Sequence, residues 1–234
     1  MYQHDNDIYV SAPLRRLRAA QARALMPELQ RCFGTHALLL SAARDDAPPS
    51  LPLLGCWVRL CLEQDGYAGD LRAAAAEPLP FVDDAFELVL LSHVLEVSPV
   101  APALLTDAVR VLAPGGVLAL TGVHPLSGWT PWLRWQPHGR SLSLQLPSRW
   151  QRLLRQAGLD IELTRRVGRG WPGQAASGEV SSNVLGGEYV LIARKRRRQA
   201  SLPRSKPVKV EIPRARQLSP GTRRSAAMRT TGKA

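Results

Sequence analysis

Five histidines, three cysteines and a tryptophan-rich segment are the side chains of this sequence best suited to chemistry. His93 follows the apolar run Leu88 to Ser92, with Glu96 three residues on. An imidazole at a strand end could take a proton near neutral pH, because its ordinary pKa is about 6.5. It could equally cap the strand, and Glu96 could face the same cleft or sit beside the helix that follows. His124, in the segment from Thr121 to Trp129, could line a pocket beyond a second strand. His138 stands in a loop without a companion, and the spacing of His93, His124 and His138 supports no metal site. Trp129, Trp132 and Trp135, with Arg134 and Arg140, could stack on an aromatic ligand or form a lid. They could also pack as a hydrophobic plug or an interface helix. Cys32, Cys56 and Cys61 form no CxxC pair and have no neighbouring histidine. That argues against a disulfide framework, a zinc site and a cysteine nucleophile, and for a reducing cytoplasm.

These groups need elements to hold them. Leu14, Leu17, Leu25, Leu29 and Phe33 recur at helical spacing, which predicts a helix over 13–33, broken near Pro27 and capped by Gly34. His36 to Leu40 reads as a buried strand, and 41–55, with Pro48, Pro49, Pro52 and Gly55, as loop. Cys56 to Leu62 and Asp70 to Ala76 are weaker strand candidates, separated by Gly66 and Gly69. Asp83 and Asp84 then serve a turn into the strand Leu88 to Ser92. A helix over 99–112 follows, then Pro114-Gly115-Gly116, then the strand Val117 to Thr121. Strand, helix, turn and strand make a parallel βαβ unit, and unbroken apolar strands imply cover on both sheet faces. A helix over 147–158 with Gly158 as its cap, a strand Leu159 to Thr164 and a last strand Gly187 to Arg194 complete a three-layer α/β domain.

The chain has 234 residues and a formal net charge of +12, distributed unevenly. Residues 1–193 carry 17 Arg, no Lys and 18 acids, a net of −1, whereas 194–234 carry 10 Arg and 4 Lys against Glu211, a net of +13. The sequence therefore predicts a near-neutral domain over 1–193 and a basic, proline-punctuated, disordered tail over 194–234. Such a tail could tether RNA or another polyanion through phosphate contacts, or only solubilise the chain. It has no apolar face to insert into a membrane. No apolar run reaches 18 residues, and Met1 to Val10 lacks the apolar core of a signal peptide.

The run Leu79-Pro-Phe-Val-Asp-Asp-Ala-Phe-Glu-Leu-Val-Leu-Leu-Ser-His-Val-Leu-Glu96, then Arg110-Val-Leu-Ala-Pro-Gly-Gly-Val-Leu-Ala-Leu120, then the helix and closing strand Gly187 to Lys195, resembles class I S-adenosylmethionine-dependent methyltransferases of the type 11 group. The resemblance covers residues 70–194 and is similar to a small bacterial subgroup with basic tails. It implies a Rossmann-like, mostly parallel seven-stranded sheet with an antiparallel last strand. It also implies S-adenosylmethionine as methyl donor, bound at the carboxyl ends of the early strands, the edge where open α/β sheets bind ligands. Carried over, the donor site falls on Ser41 after the first strand, Glu63 (with Asp65 as fallback) after the second, Glu77, and Ser92 and His93. His93 and His124 are the candidates beside the reacting groups.

The chain departs from the family in three places. Where a glycine-rich turn is usual, Ser41-Ala42-Ala43-Arg44-Asp45 stands. The acid that normally precedes Leu-Pro-Phe by four positions is Ala75, with Glu77 displaced by two. Leu40 to Asp70 is short for two crossover helices and a strand, so the first half of the fold reads as trimmed. Two functions follow from these features. One is a methyltransferase acting on RNA or a small molecule; the other is a catalytically inactive methyltransferase-like adaptor that binds nucleic acid or ribosomes through its tail.

Overall fold

The computed structural model describes residues 8–63, 66–136, 141–172 and 186–197, all within one compact unit, Met1–Arg198. The predicted tail beyond 197, His138, Arg140 and Asp65 lie outside the described residues. Helix α1 (Ala12–Leu29) leads into β1 (Gly34–Ser41), β2 (Leu54–Leu62), β3 (Gly66–Gly69) and β4 (Ala73–Ala74). Then come β5 (Phe86–Ser92), the single turn α2 (Val94–Val97), α3 (Ala101–Val111) and β6 (Leu112–Val123). The short α4 (Trp129–Trp135), α5 (Pro147–Gln156), β7 (Leu159–Val167) and β8 (Glu188–Lys195) follow.

Among the described residues the sheet has eight strands, in the order β4-β3-β2-β1-β5-β6-β8-β7. The four central strands, β2, β1, β5 and β6, are parallel, and β8 runs antiparallel to β6 and β7. One sheet face is buried under α3 and α5 by Leu38, Leu40, Val89, Leu91, Leu118 and Leu120. The opposite face meets α1 through Leu25 and Leu29, packed on Leu39, Leu90 and Ile192. This is the expected three-layer, mostly parallel α/β architecture, with helices covering both faces.

The β5–α3–β6 unit forms where the apolar pattern placed it. The Pro114-Gly115-Gly116 turn is absorbed into β6 as an irregularity, since the register jumps from Phe86↔Leu112 to Leu88↔Val117. Gly115, at φ 84°, takes a backbone conformation that a side chain would strain. Gly158, also at φ 84°, closes α5 as predicted.

Four expectations need correction. Helix α1 runs through Pro27 and ends two residues later at Leu29, so the proline sits in the last turn and does not break the helix ahead of itself, and Gly34 starts β1 instead of capping the helix. Asp70 to Ala76 is not a strand. Gly66–Gly69 folds back antiparallel on β2, and only Ala73–Ala74 pairs beyond it. The sheet therefore gains an eighth strand. The trimmed stretch resolves into two cheap connections, a proline-rich loop over 42–53 between parallel strands β1 and β2 and a hairpin between β2 and β3.

Candidate functional site

The chain turns one way from β1 to β2 and the other way from β5 to β6, so the topological switch point lies between β1 and β5. Open α/β sheets bind ligands beyond the strand carboxyl ends at such a point. Ser41 ends β1 and Ser92 ends β5, in register with each other. Both hydroxyls donate to one carboxylate, that of Asp46, at 2.7 and 2.6 Å. Arg18, reaching over from α1, approaches Asp46 at 3.3 Å, binds Asp45 at 2.7 Å and donates to the Tyr9 carbonyl. The loop over 42–53 is pinned by the Ala42 N–H, which donates to the Ser92 carbonyl at 3.0 Å.

A cavity of 770 Å³ opens beside this knot, lined by Ser41, Asp46, Arg44, Glu63, Arg59 and Tyr67 among others. Its floor is the face of β1, β2 and β3. Glu63 follows β2 and is held by Arg44 at 2.6 Å. A smaller cavity of 130 Å³ lies on the other side of Asp46, between α1 and the sheet, and reaches Ser92, Gln21 and Thr121. Arg18 Nε and Thr121 Oγ1, at its wall, are buried without a hydrogen-bond partner among the described residues.

Of the residues named from the sequence, Ser41 and Glu63 line the large cavity and Ser92 lines the small one. Glu77 is exposed in the turn after β4, outside both cavities, and Ala75 packs against the core. His93 is buried at 1% exposure and adopts a left-handed conformation, φ 55°. Its Nδ1 lies 3.0 Å from Glu96 Oε2 and its Nε2 2.7 Å from Gln21 Oε1. Gln21 donates its amide to the Gly122 carbonyl, which turns Oε1 toward the ring and makes Nε2 the donor. Glu96 also accepts from Tyr9 OH at 2.8 Å and from the Val123 N–H. His93 and Glu96 thus form a sealed, fully partnered network that fixes the strand ends, and neither ring nitrogen is free for an incoming group.

His124, 7% exposed, accepts the Leu126 N–H at Nδ1 and stabilises the turn into α4. Burial and the nearby Arg166 hold its pKa below the ordinary value, which favours the neutral ring. Trp129 is buried with its indole donating to the Arg169 carbonyl, Trp132 packs edge-on against it, and Trp135 is 88% exposed. The three tryptophans therefore divide between core and surface and form no continuous stacking platform. Cys32, Cys56 and Cys61 form no disulfide with one another, and burial pushes Cys32 up to about 11, away from thiolate chemistry. Among the described residues no cluster of His, Cys, Asp and Glu could hold a metal ion.

Asp46, Arg18, Gln21 and Tyr9 are the residues that sequence reasoning missed. The one available signal was an acid pair, Asp45-Asp46, just beyond the first strand. Its approach to Ser92 depends on how a proline-rich loop folds back across the strand ends.

The S-adenosylmethionine expected from the sequence fits this donor set. The cavity is within the usual size of small-molecule sites and offers a carboxylate at the end of β2, a second at the switch point and apolar walls.

Comparison with known proteins agrees with this architecture. A methyltransferase domain family model matches residues 57–120. Phthiotriol/phenolphthiotriol dimycocerosates methyltransferase 1 of Mycobacterium ulcerans is 34% identical over 76 residues, 32% of this chain and 28% of the relative. The chain thus spans about a third or less of the length of the curated relatives it matches. Among solved structures, an S-adenosylmethionine-dependent methyltransferase of Thermotoga maritima superposes with a TM-score of 0.54 at 14% identity, covering 81% of this chain and 98% of that one. Another from Mesorhizobium loti gives 0.50 at 16% identity, covering 75% and 98%. Sheet order and these superpositions show a Rossmann-like methyltransferase fold, and residues 57–120 carry the sequence likeness to a methyltransferase domain.

Proposed function

We propose that the chain binds S-adenosylmethionine in the 770 Å³ cavity and transfers its methyl group to an acceptor at the carboxyl edge of the sheet. The observation that carries this reading is the position of that cavity, which joins Ser41, Asp46 and Glu63 beside the switch point. Glu63 would accept hydrogen bonds from the ribose hydroxyls once Arg44 swings aside. Asp46 would face the ammonium of the amino-acid moiety, held in place by Ser41, Ser92 and Arg18. When bound, the donor supplies a methyl group on a sulfonium, already activated as an electrophile. The protein's part is then alignment and exclusion of water, which suits a site whose histidines are already engaged. His93 and Glu96 act here as positioning residues that fix the ends of β5 and β6.

The relatives' names point to lipid-like, small-molecule acceptors, and the basic segment 194–234 supports RNA or another polyanion as a second partner. A cytoplasmic location belongs to the same reading, since its reducing milieu suits three cysteines that form no disulfide with one another. No described helix is long and apolar enough to cross a membrane.

Calorimetric titration of S-adenosylhomocysteine into the full chain tests the proposal. We expect one-to-one binding in the micromolar range, weakened roughly tenfold by Glu63→Gln through the loss of charged hydrogen bonds. Absence of binding by the folded protein would overturn the methyltransferase reading in favour of the adaptor.

A further inference from the structure

The large cavity holds more positive charge than a cationic methyl donor can use. Arg44, Arg59 and Arg72 line it, from the loop after β1, from β2 and from the turn after β3. The lining carboxylates already have guanidinium partners, Glu63 with Arg44 and Asp46 with Arg18. Asp70, just outside, accepts the Arg59 backbone N–H at 2.7 Å. The side chains of Arg59 and Arg72 have no partner among the described residues.

Arg59 is also out of place for its strand. It stands in register with buried Leu39 on the face of β2, between Trp57 and Cys61. On a helix-covered parallel sheet such a position carries an apolar side chain. Here the connection from β1 to β2 is a loop, and α1, which packs on Leu39 of the same face, leaves Arg59 exposed at the cavity. A residue that breaks the local pattern without a compensating contact is where a binding role is expected.

We propose that this side of the cavity is a phosphate subsite. Arg59 and Arg72 receive the phosphate of a nucleotide-type ligand that lies beside the methyl donor, with Arg44 joining when it leaves Glu63. Planar guanidinium groups match phosphate oxygens in charge and geometry, and two of them line this cavity from separate elements. The proposal rests on the reading of this cavity as the ligand site, and it identifies the second ligand by its anionic group.

The test uses the full chain in three forms: wild type, Arg59→Gln/Arg72→Gln, and Arg204→Gln/Arg214→Gln as a control in the basic C-terminal segment. Inorganic pyrophosphate is titrated into each. The expected result is a loss of roughly tenfold or more in the cavity variant and little change in the control, as for removal of charged hydrogen bonds. Equal affinity in all three proteins, or no binding to wild type, overturns the proposal. Arg59 and Arg72 are exposed, so the cavity variant should melt with the wild type; Arg72→Gln alone serves if the double variant does not. S-adenosylhomocysteine titrated into the same proteins reports on the donor site separately. Lost pyrophosphate binding without homocysteine-nucleoside binding would sustain the phosphate subsite and sink the donor reading. Adenosine 5′-monophosphate and a short oligoribonucleotide then identify the source. Arginine-dependent binding of the mononucleotide alone indicates a small ligand, and the same dependence for the oligonucleotide indicates RNA.

Discussion

The two halves of the sheet solve the same problem differently. From Phe86 to Val123, two parallel strands are joined through α3, and every strand residue from Leu88 to Leu91 is buried. From Gly34 to Ala74, parallel strands are joined by a loop, the next connection is a hairpin, and β2 is exposed or half-buried over Gly55 to Arg59. The helix-connected half buries apolar surface on both faces and supplies the core. The loop-connected half leaves one face partly open, and that opening is the cavity. A cavity can thus arise where a covering helix is absent from the connection, provided the other half of the sheet carries the stability.

Truncating a core side chain should show the largest effect. Leu118→Ala, at a fully buried position of β6, should cost about 2–5 kcal/mol in denaturant unfolding, whereas Cys61→Ala on the cavity floor should cost about 1 kcal/mol or less. Equal losses would show that the open half is as tightly packed as the closed one.

The second prediction concerns a polar residue in the packed half. Glu188 opens β8, is 1% exposed, and leaves Oε2 unpartnered among the described residues. Burial pushes its carboxyl up to about 9, against the pull of Arg169 and Arg23. The folded state therefore holds a proton that the unfolded chain releases near its ordinary pKa of about 4.3. Its contribution to stability is greatest below that value and is lost as pH rises toward 9. Glu188→Gln should match wild type near pH 5 and exceed it increasingly at higher pH, by up to about 1.4 kcal/mol per unit. Melting curves across that range check this, and a pH-independent difference would count against a buried, protonated carboxyl.

The smallest effect is expected at the edge of the packed half. Lys195, the last residue of β8, donates to the Val109 and Leu112 carbonyls at 2.8 and 2.5 Å and pairs with Asp84 at 2.8 Å. It caps the carboxyl end of α3, where a cation opposes the helix dipole. Lys195→Ala should cost about 1 kcal/mol in the same denaturation assay. The basic run therefore begins inside the fold, and a chain ending at Arg196 keeps these contacts.

Much of this was legible in the sequence where local pattern and packing agree. The run from Leu79 to Leu120 combines apolar strands, an amphipathic helix and a glycine turn, and each predicts its own element without help from the others. The trimmed half was legible only as a shortage of residues. Its hairpin depends on Gly66 and Gly69 bringing β3 back on β2, a choice the sequence left open beside a strand over Asp70 to Ala76. Of the residues lining the large cavity, Ser41 and Glu63 are legible in the sequence because they follow recognisable strands. The exposure of Glu77 is not, because it depends on the turn after β4. His93 was located correctly at a strand end, yet its engagement with Gln21 and Glu96 involves a helix 72 residues away.

The sequence by itself determined the alternation of strands and helices, the parallel core and the concentration of charge beyond residue 193, because propensity, periodicity and charge are local properties. Only the tertiary structure decided that Asp46, Ser41, Ser92 and Arg18 meet at the switch point, that His93 is sealed, and that Arg59 and Arg72 face one cavity. These are encounters between residues far apart in the chain. They depend on how a loop closes and which sheet face stays uncovered, and no spacing along the sequence encodes that.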